Sequence, residues 1–111
     1  MKNTVMIRFD VEGFHFYKGA PEEVLFLENN HRHTFTIKAG YSVTNLNREL
    51  EIFICRDKLK DYLNEAYGSP CIFGGMSCEM IANKILEFAK VDGMVWCEVW
   101  EELTGGARVE L

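Results

Sequence analysis

The sequence predicts an α+β domain built on an antiparallel sheet. Three observations carry that reading. Apolar and polar residues alternate in three stretches, the mark of half-buried strands. Two other stretches repeat their apolar residues at helical spacing. The helical stretches lie together, with strands before and after them, which is the order of an α+β chain and not of a βαβ repeat.

The first strand covers Thr4 to Val11. Val5, Ile7, Phe9 and Val11 share one face, and Thr4, Met6, Arg8 and Asp10 share the other. Gly13 and the Gly19-Ala20-Pro21 stretch then break the regularity. Glu22 to Asn30 fits either a short helix or a loop crossing a strand end. Alternation resumes from His33 to Val43, with His33, Phe35, Ile37 and Ala39 on one side. Asn45-Leu46-Asn47 reads as a turn, and Glu51 to Cys55 as a short apolar third strand. Asp57 is placed to cap a helix in which Leu59, Tyr62, Leu63 and Ala66 form the apolar stripe; Gly68 and Pro70 end it. Ser77 caps a second helix, with Glu79 in its first turn and Ile81, Ile85, Phe88 and Ala89 on its buried side. After Gly93 a strand runs through Glu101 with Val95, Cys97 and Val99 inward; Met94, Trp96 and Trp100 fall on the other face. Gly105-Gly106 is the expected hairpin turn, and Ala107 to Leu111 the closing strand.

At 111 residues the chain is read as one domain, residues 1–111, with room for a single core. Its net charge of −5 argues against a nonspecific grip on nucleic acid phosphates. No apolar run approaches the roughly 18 residues of a membrane span. Met1-Lys2-Asn3-Thr4 leads straight into alternation and not into a signal-peptide core, so a soluble cytoplasmic protein is the expectation. The four cysteines, Cys55, Cys71, Cys78 and Cys97, form no Cys-x-x-Cys, and free, mostly buried thiols are expected.

Chemistry is concentrated in the three histidines, His15, His31 and His33. On a strand, residues two apart project to one face about 7 Å apart at the backbone, so the rings of His31 and His33 can reach one ion. His15 continues the parity of Val5 to Val11. If the first two strands pair antiparallel, it arrives where His31 and His33 begin. Three imidazoles with no evident fourth protein ligand describe a catalytic kind of zinc site. The competing reading is a solvated strand end with a nearby loop histidine. Arg32, between two inward histidines, should point away from them. Glu101 ends its strand on the inward face. Its carboxylate could accept two parallel hydrogen bonds from a ligand with adjacent N–H donors, or it could, with Glu102, simply open a solvated turn.

The run Phe9-Asp10-Val11-Glu12-Gly13-Phe14-His15, followed by His31-Arg32-His33-Thr34-Phe35, resembles the 6-pyruvoyltetrahydropterin synthase and 6-carboxytetrahydropterin synthase family. Ser77-Cys78-Glu79-Met80-Ile81-Ala82 resembles that family's Thr-x-Glu-x-Leu-Ala helix start, and Cys97-Glu98-Val99-Trp100-Glu101 its Val-x-Val-x-Glu strand. The resemblance spans nearly the whole chain in order. It implies the tunnelling fold, an antiparallel sheet with two helices on one face. It also implies closure of subunits into a homo-oligomeric barrel, a hexamer in the family, with sites at subunit interfaces. It implies Zn2+ on His15, His31 and His33, a pterin anchored by Glu101, and lyase chemistry on 7,8-dihydroneopterin triphosphate. The two tryptophans on the sheet's second face fit a face covered by a neighbouring subunit.

The chain departs from the family at its chemical residues. The family's cysteine, four residues before its His-x-His, is Leu27 here, the Gly between the histidines is Arg32, and the family's Asp-His pair is absent because no histidine follows His33. A variant of the family carries Glu three residues before the first histidine of the pair, the position of Glu28, and forms a product resembling 6-hydroxymethyl-dihydropterin. Glu28 is thus the candidate base, or else a surface residue in an acidic stretch with Glu22 and Glu23. Cys71 is its rival as a thiolate. A catalytically inactive module that binds a pterin- or purine-like ligand is the second functional expectation.

Overall fold

The computed structural model describes residues 1–111. The elements in chain order are β1 (Asn3–His15), a 3-10 helix (Glu22–Glu28), β2 (His31–Val43), α1 (Ile52–Tyr67), β3 (Cys71–Gly74), α2 (Cys78–Ala89), a 3-10 turn (Lys90–Asp92), β4 (Met94–Glu101) and β5 (Gly105–Glu110). The strands form one sheet in the order β3-β1-β2-β4-β5. β1 pairs antiparallel with β2 along its whole length, from Asn3 opposite Val43 to His15 opposite His31. β4 pairs antiparallel with β2 and with β5.

The architecture is α+β, but the sheet is mixed and not wholly antiparallel. β3 runs parallel to β1, pairing Gly13 with Cys71 and Phe14 with Ile72. Four residues without a period-two run give no strand signal of their own. Pairing there depends on a glycine: a Cβ on Gly13 would lie 2.8 Å from the Phe73 ring and 3.1 Å from the Cys71 carbonyl.

Both α-helices pack on the sheet face that carries Ile7, Phe9, Phe35, Ile37 and Val99. With Leu59 and Leu63 of α1 and Ile81 and Ile85 of α2 these residues make one core. The opposite face carries Arg8, Lys38, Trp96, Trp100 and Arg108, with no helix over it. No helix is long and apolar enough to cross a membrane.

Several expectations need correction. Glu51 to Cys55 is not a strand but the start of α1. The Glu51 carboxylate caps the helix by accepting from the Ile54 amide at 2.9 Å, and the Cys55 amide donates to the Glu51 carbonyl. Ile52, Phe53 and Ile54 are exposed, so the apolar run that suggested a strand belongs to no core. Asp57 therefore lies inside the helix and is not its cap, and Ala66 is exposed. On β4, Gly40 faces Trp96 while Tyr41 faces Met94, which leaves Val95 as a bulge. That extra residue reverses the parity before Trp96. Met94 is fully buried in the core, and Val95 is only half-buried. Val5 and Phe88 are half-buried too. The β4–β5 hairpin turns at Glu102–Thr104, with Glu102 and Leu103 at φ 51° and 58°. Gly105 and Gly106 begin β5 instead. A Cβ on Gly106 would lie 2.8 Å from the Trp100 Cα, so Gly106 serves close approach and not the turn.

Candidate metal centre

The register of β1 and β2 assembles the site. His15, the last residue of β1, lies opposite His31, the first of β2, and Gly13 lies opposite His33. All three imidazoles consequently project from one face of the sheet. The ring centroids are 4.6 Å apart for His15–His31, 4.9 Å for His31–His33 and 5.4 Å for His15–His33. One ligating nitrogen from each ring lies within 4.8 Å of the other two. Phe35 sits edge-on beneath His15 and His33, closing the apolar floor.

Each ring is fixed through Nδ1. That atom of His15 is 2.9 Å from the Met76 carbonyl oxygen, that of His31 is 2.8 Å from the Asn29 carbonyl, and that of His33 is 3.3 Å from a Glu102 carboxylate oxygen. All three partners only accept, so Nδ1 is the protonated nitrogen and Nε2 carries the lone pair in each neutral ring. Outer partners of this kind orient metal-binding histidines and raise their basicity. His33 Nε2 is buried and has no hydrogen-bond partner. A buried orphan nitrogen among three converging imidazoles fits a borderline-soft divalent cation such as zinc.

The Glu101 carboxylate lies against two of these nitrogens. Its Oε1 is 3.0 Å from His15 Nε2 and its Oε2 is 3.5 Å from His33 Nε2. Burial pushes the His15 imidazole below its ordinary value, outweighing the Met76 carbonyl and the Glu101 carboxylate, which favour the cation. The neutral, ligating form is therefore favoured. The Cys78 thiol donates to Glu101 Oε1 at 3.5 Å. Burial and that neighbouring carboxylate push the thiol up to about 12, so Cys78 stays protonated.

A cleft of about 620 Å³ opens beside these residues. It is lined by His15, His31 and Glu101, by Phe16 to Lys18 after β1, by Gly75 to Met80 at the start of α2, and by Gly105 to Ala107 of β5. Ser77, as the N-cap, accepts from the Met80 amide at 3.2 Å and sets the helix start at the cleft wall.

Four sequence-predicted residues, His15, His31, His33 and Glu101, are brought together. Arg32 points away, as its parity requires, donating to Glu12 at 3.0 Å. Glu28 ends the 3-10 helix, exposed to solvent and outside the cleft lining; Leu27 lines it instead. Cys71 is 1% exposed in β3, with its thiol raised by burial, and it does not line the cleft. Glu102, Met76 and Asn29 were not singled out by the sequence. Two of them act through backbone carbonyls, which leave no residue-type signal, and Glu102 depends on a turn three residues earlier than the glycines suggested. No protein-family model and no curated protein matches this chain.

Proposed function

We propose that this protein is a zinc-dependent lyase that processes a pterin, of the 6-pyruvoyl/6-carboxytetrahydropterin synthase type, acting on 7,8-dihydroneopterin triphosphate. The observation that carries the reading is the convergence of three imidazoles, with one ligating nitrogen of each within 4.8 Å of the others and Nδ1 of each ring set against an acceptor. His15, His31 and His33 would hold the zinc, whose contribution when bound is to polarise the substrate's side-chain oxygens as a Lewis acid. Glu101 would accept two hydrogen bonds from the aminopyrimidinone edge. Glu28, exposed just ahead of β2 and outside the cleft of its own chain, would take a proton from the side-chain diol of a substrate bound across a subunit interface. The cleft walls would exclude water from the ring faces.

A homo-oligomer with sites at subunit interfaces, held in the cytoplasm, completes the proposal. Two features of the single chain support assembly. One sheet face presents the half-buried Trp96 and Trp100 with no layer over it. β1 meets β3 only from Gly13 onward, which leaves its outer edge from Asn3 to Glu12 without a strand partner. A partner subunit at that edge or face is also the source from which a general base absent from the cleft could come.

The experiment is turnover. Zinc-loaded protein incubated with 7,8-dihydroneopterin triphosphate is expected to give a new pterin by mass spectrometry. No product, with zinc bound and the oligomer intact, rejects the lyase. The second reading is an inactive module that binds a pterin- or purine-like ligand. It is favoured by the lack of a base inside the cleft: Glu28 lies outside it, Cys71 is buried, and Cys78 is held protonated. Calorimetric binding of a pterin or purine without turnover would establish it.

A further inference from the structure

Two pairs of acceptors face each other in the site. His15 Nδ1 lies 2.9 Å from a carbonyl oxygen, which cannot donate, so His15 Nε2 presents a lone pair to Glu101 Oε1 at 3.0 Å. His33 Nδ1 is likewise engaged by the Glu102 carboxylate, and its buried Nε2 faces Glu101 Oε2 at 3.5 Å without a hydrogen bond. With the rings neutral, a carboxylate set against two imidazole lone pairs is repulsive; a proton on Nε2 relieves one contact at a time, whereas a metal ion among the three groups relieves both at once. Both carboxylate oxygens are committed in this way, one to each ring.

We propose that Glu101 is a fourth protein ligand of the metal, so that the ligand-free site is His15-His31-His33-Glu101 and closed. The proposal rests on the metal reading given above. Neighbouring ligand atoms on a tetrahedral zinc with arms of 2.0–2.1 Å lie about 3.3 Å apart. The two observed separations, 3.0 Å from Oε1 to His15 and 3.5 Å from Oε2 to His33, lie near that value and put the carboxylate within ligand reach of those two rings, one oxygen to each. The Cys78 thiol, donating to Oε1 at 3.5 Å, holds the carboxylate in this pose without competing as a thiolate.

The consequence is an exchange. A pterin whose side chain reaches the metal has its aminopyrimidinone edge on the far side of the bicyclic ring. Glu101 cannot lie on the histidines and clamp that edge at once. Binding of the pterin therefore releases Glu101 from the metal position, opening one coordination site at the moment the clamp forms. The same carboxylate keeps the centre closed to water and stray anions until the right ring arrives. Its backbone stays anchored during the swing, because the Glu101 carbonyl accepts from the Thr104 amide at 2.9 Å in the turn.

Cobalt(II) is the probe, loaded into the full chain in place of zinc, with affinity read by chelator competition and coordination read from the visible bands. Wild type is expected to bind cobalt in a four-coordinate site. Glu101→Ala should bind at least about 10-fold more weakly, with bands shifted as water replaces the carboxylate. Glu101→Gln keeps the shape and loses the anionic donor, so it should fall with Glu101→Ala; it also covers the case in which the alanine variant misfolds. Affinity and bands unchanged in Glu101→Gln would overturn the proposal while leaving a three-histidine centre standing. Folded wild type that binds no cobalt would overturn the metal reading and this inference with it.

Discussion

Glu102 offers a way to separate metal binding from folding, through the substitution Glu102→Gly. Its carboxylate accepts from the Thr34 amide at 2.8 Å and from His33 Nδ1 at 3.3 Å. Losing these two exposed hydrogen bonds to one carboxylate oxygen costs about 0.5–1.5 kcal/mol each. The residue also sits at φ 51°, a left-handed conformation that costs a non-glycine residue roughly 1–2 kcal/mol, and glycine relieves that cost. The Glu102 amide still donates to the Thr34 carbonyl at 3.0 Å in the variant. The opposing effects, about 1–3 kcal/mol lost against about 1–2 regained, largely offset, so the metal-free variant should match wild type in urea unfolding to within about 2 kcal/mol. Zinc affinity should not match. Removing a partner that orients a ligating histidine typically costs 10–100-fold, about 1.4–2.7 kcal/mol. The assay is chelator competition on the folded variant beside Glu102→Gln, which keeps an acceptor oxygen and should recover most of the loss. Wild-type zinc affinity in Glu102→Gly would refute the claim that Glu102 orients His33.

Three further outcomes follow from the fold. Leu63→Ala removes a fully buried side chain of α1 and should cost about 2–5 kcal/mol in urea unfolding; a cost well under 1 kcal/mol would contradict the packing of α1 on the sheet. Gly40→Ala pushes a methyl into the Trp96 indole and to 2.9 Å from Thr4 Cγ2; a loss of about 1–3 kcal/mol with a changed tryptophan emission is expected, and neither change would mean that the ring does not cover Gly40. Burial raises the Tyr41 phenol and lifts Tyr62 to about 12, so both favour the neutral form in the folded chain. Their stabilisation is present in full below the ordinary tyrosine value of about 10 and is lost as pH rises from there through the folded values. Phenolate absorbance should accordingly show two of the four tyrosines ionising late, together with alkaline unfolding; four ordinary titrations would contradict their burial.

Much of the site was legible because strands write their geometry in parity. His15, His31 and His33 share a face by counting in twos, and antiparallel pairing of β1 with β2 is enough to bring them together. Arg32 was placed outward by the same count. Parity fails where the backbone spends an extra residue, as at Val95, and there Met94 was read onto the wrong face. The start of α1 was misread for a different reason. Ile52, Phe53 and Ile54 are apolar yet exposed, and a run of this kind looks like a buried strand until the Glu51 cap is seen. β3 is too short to carry a pattern, and its pairing is dictated by the close approach of Phe73 and Cys71 to Gly13. The groups that fix the histidine rings, Met76 and Asn29 through their carbonyls, could not be found from residue type at all. Glu101 was read as a clamp for a ring edge; its contact with two histidine nitrogens appears only once β4 is laid beside β2.

The central claim is that these three histidines form one metal centre, and zinc stoichiometry by native mass spectrometry tests it most directly. Wild type reconstituted with zinc and desalted should carry one zinc per chain, while folded His15→Ala, His31→Ala and His33→Ala variants should each lose it or hold it far more weakly. Wild type that emerges metal-free, or a folded triple variant that still carries one zinc per chain, would contradict the account.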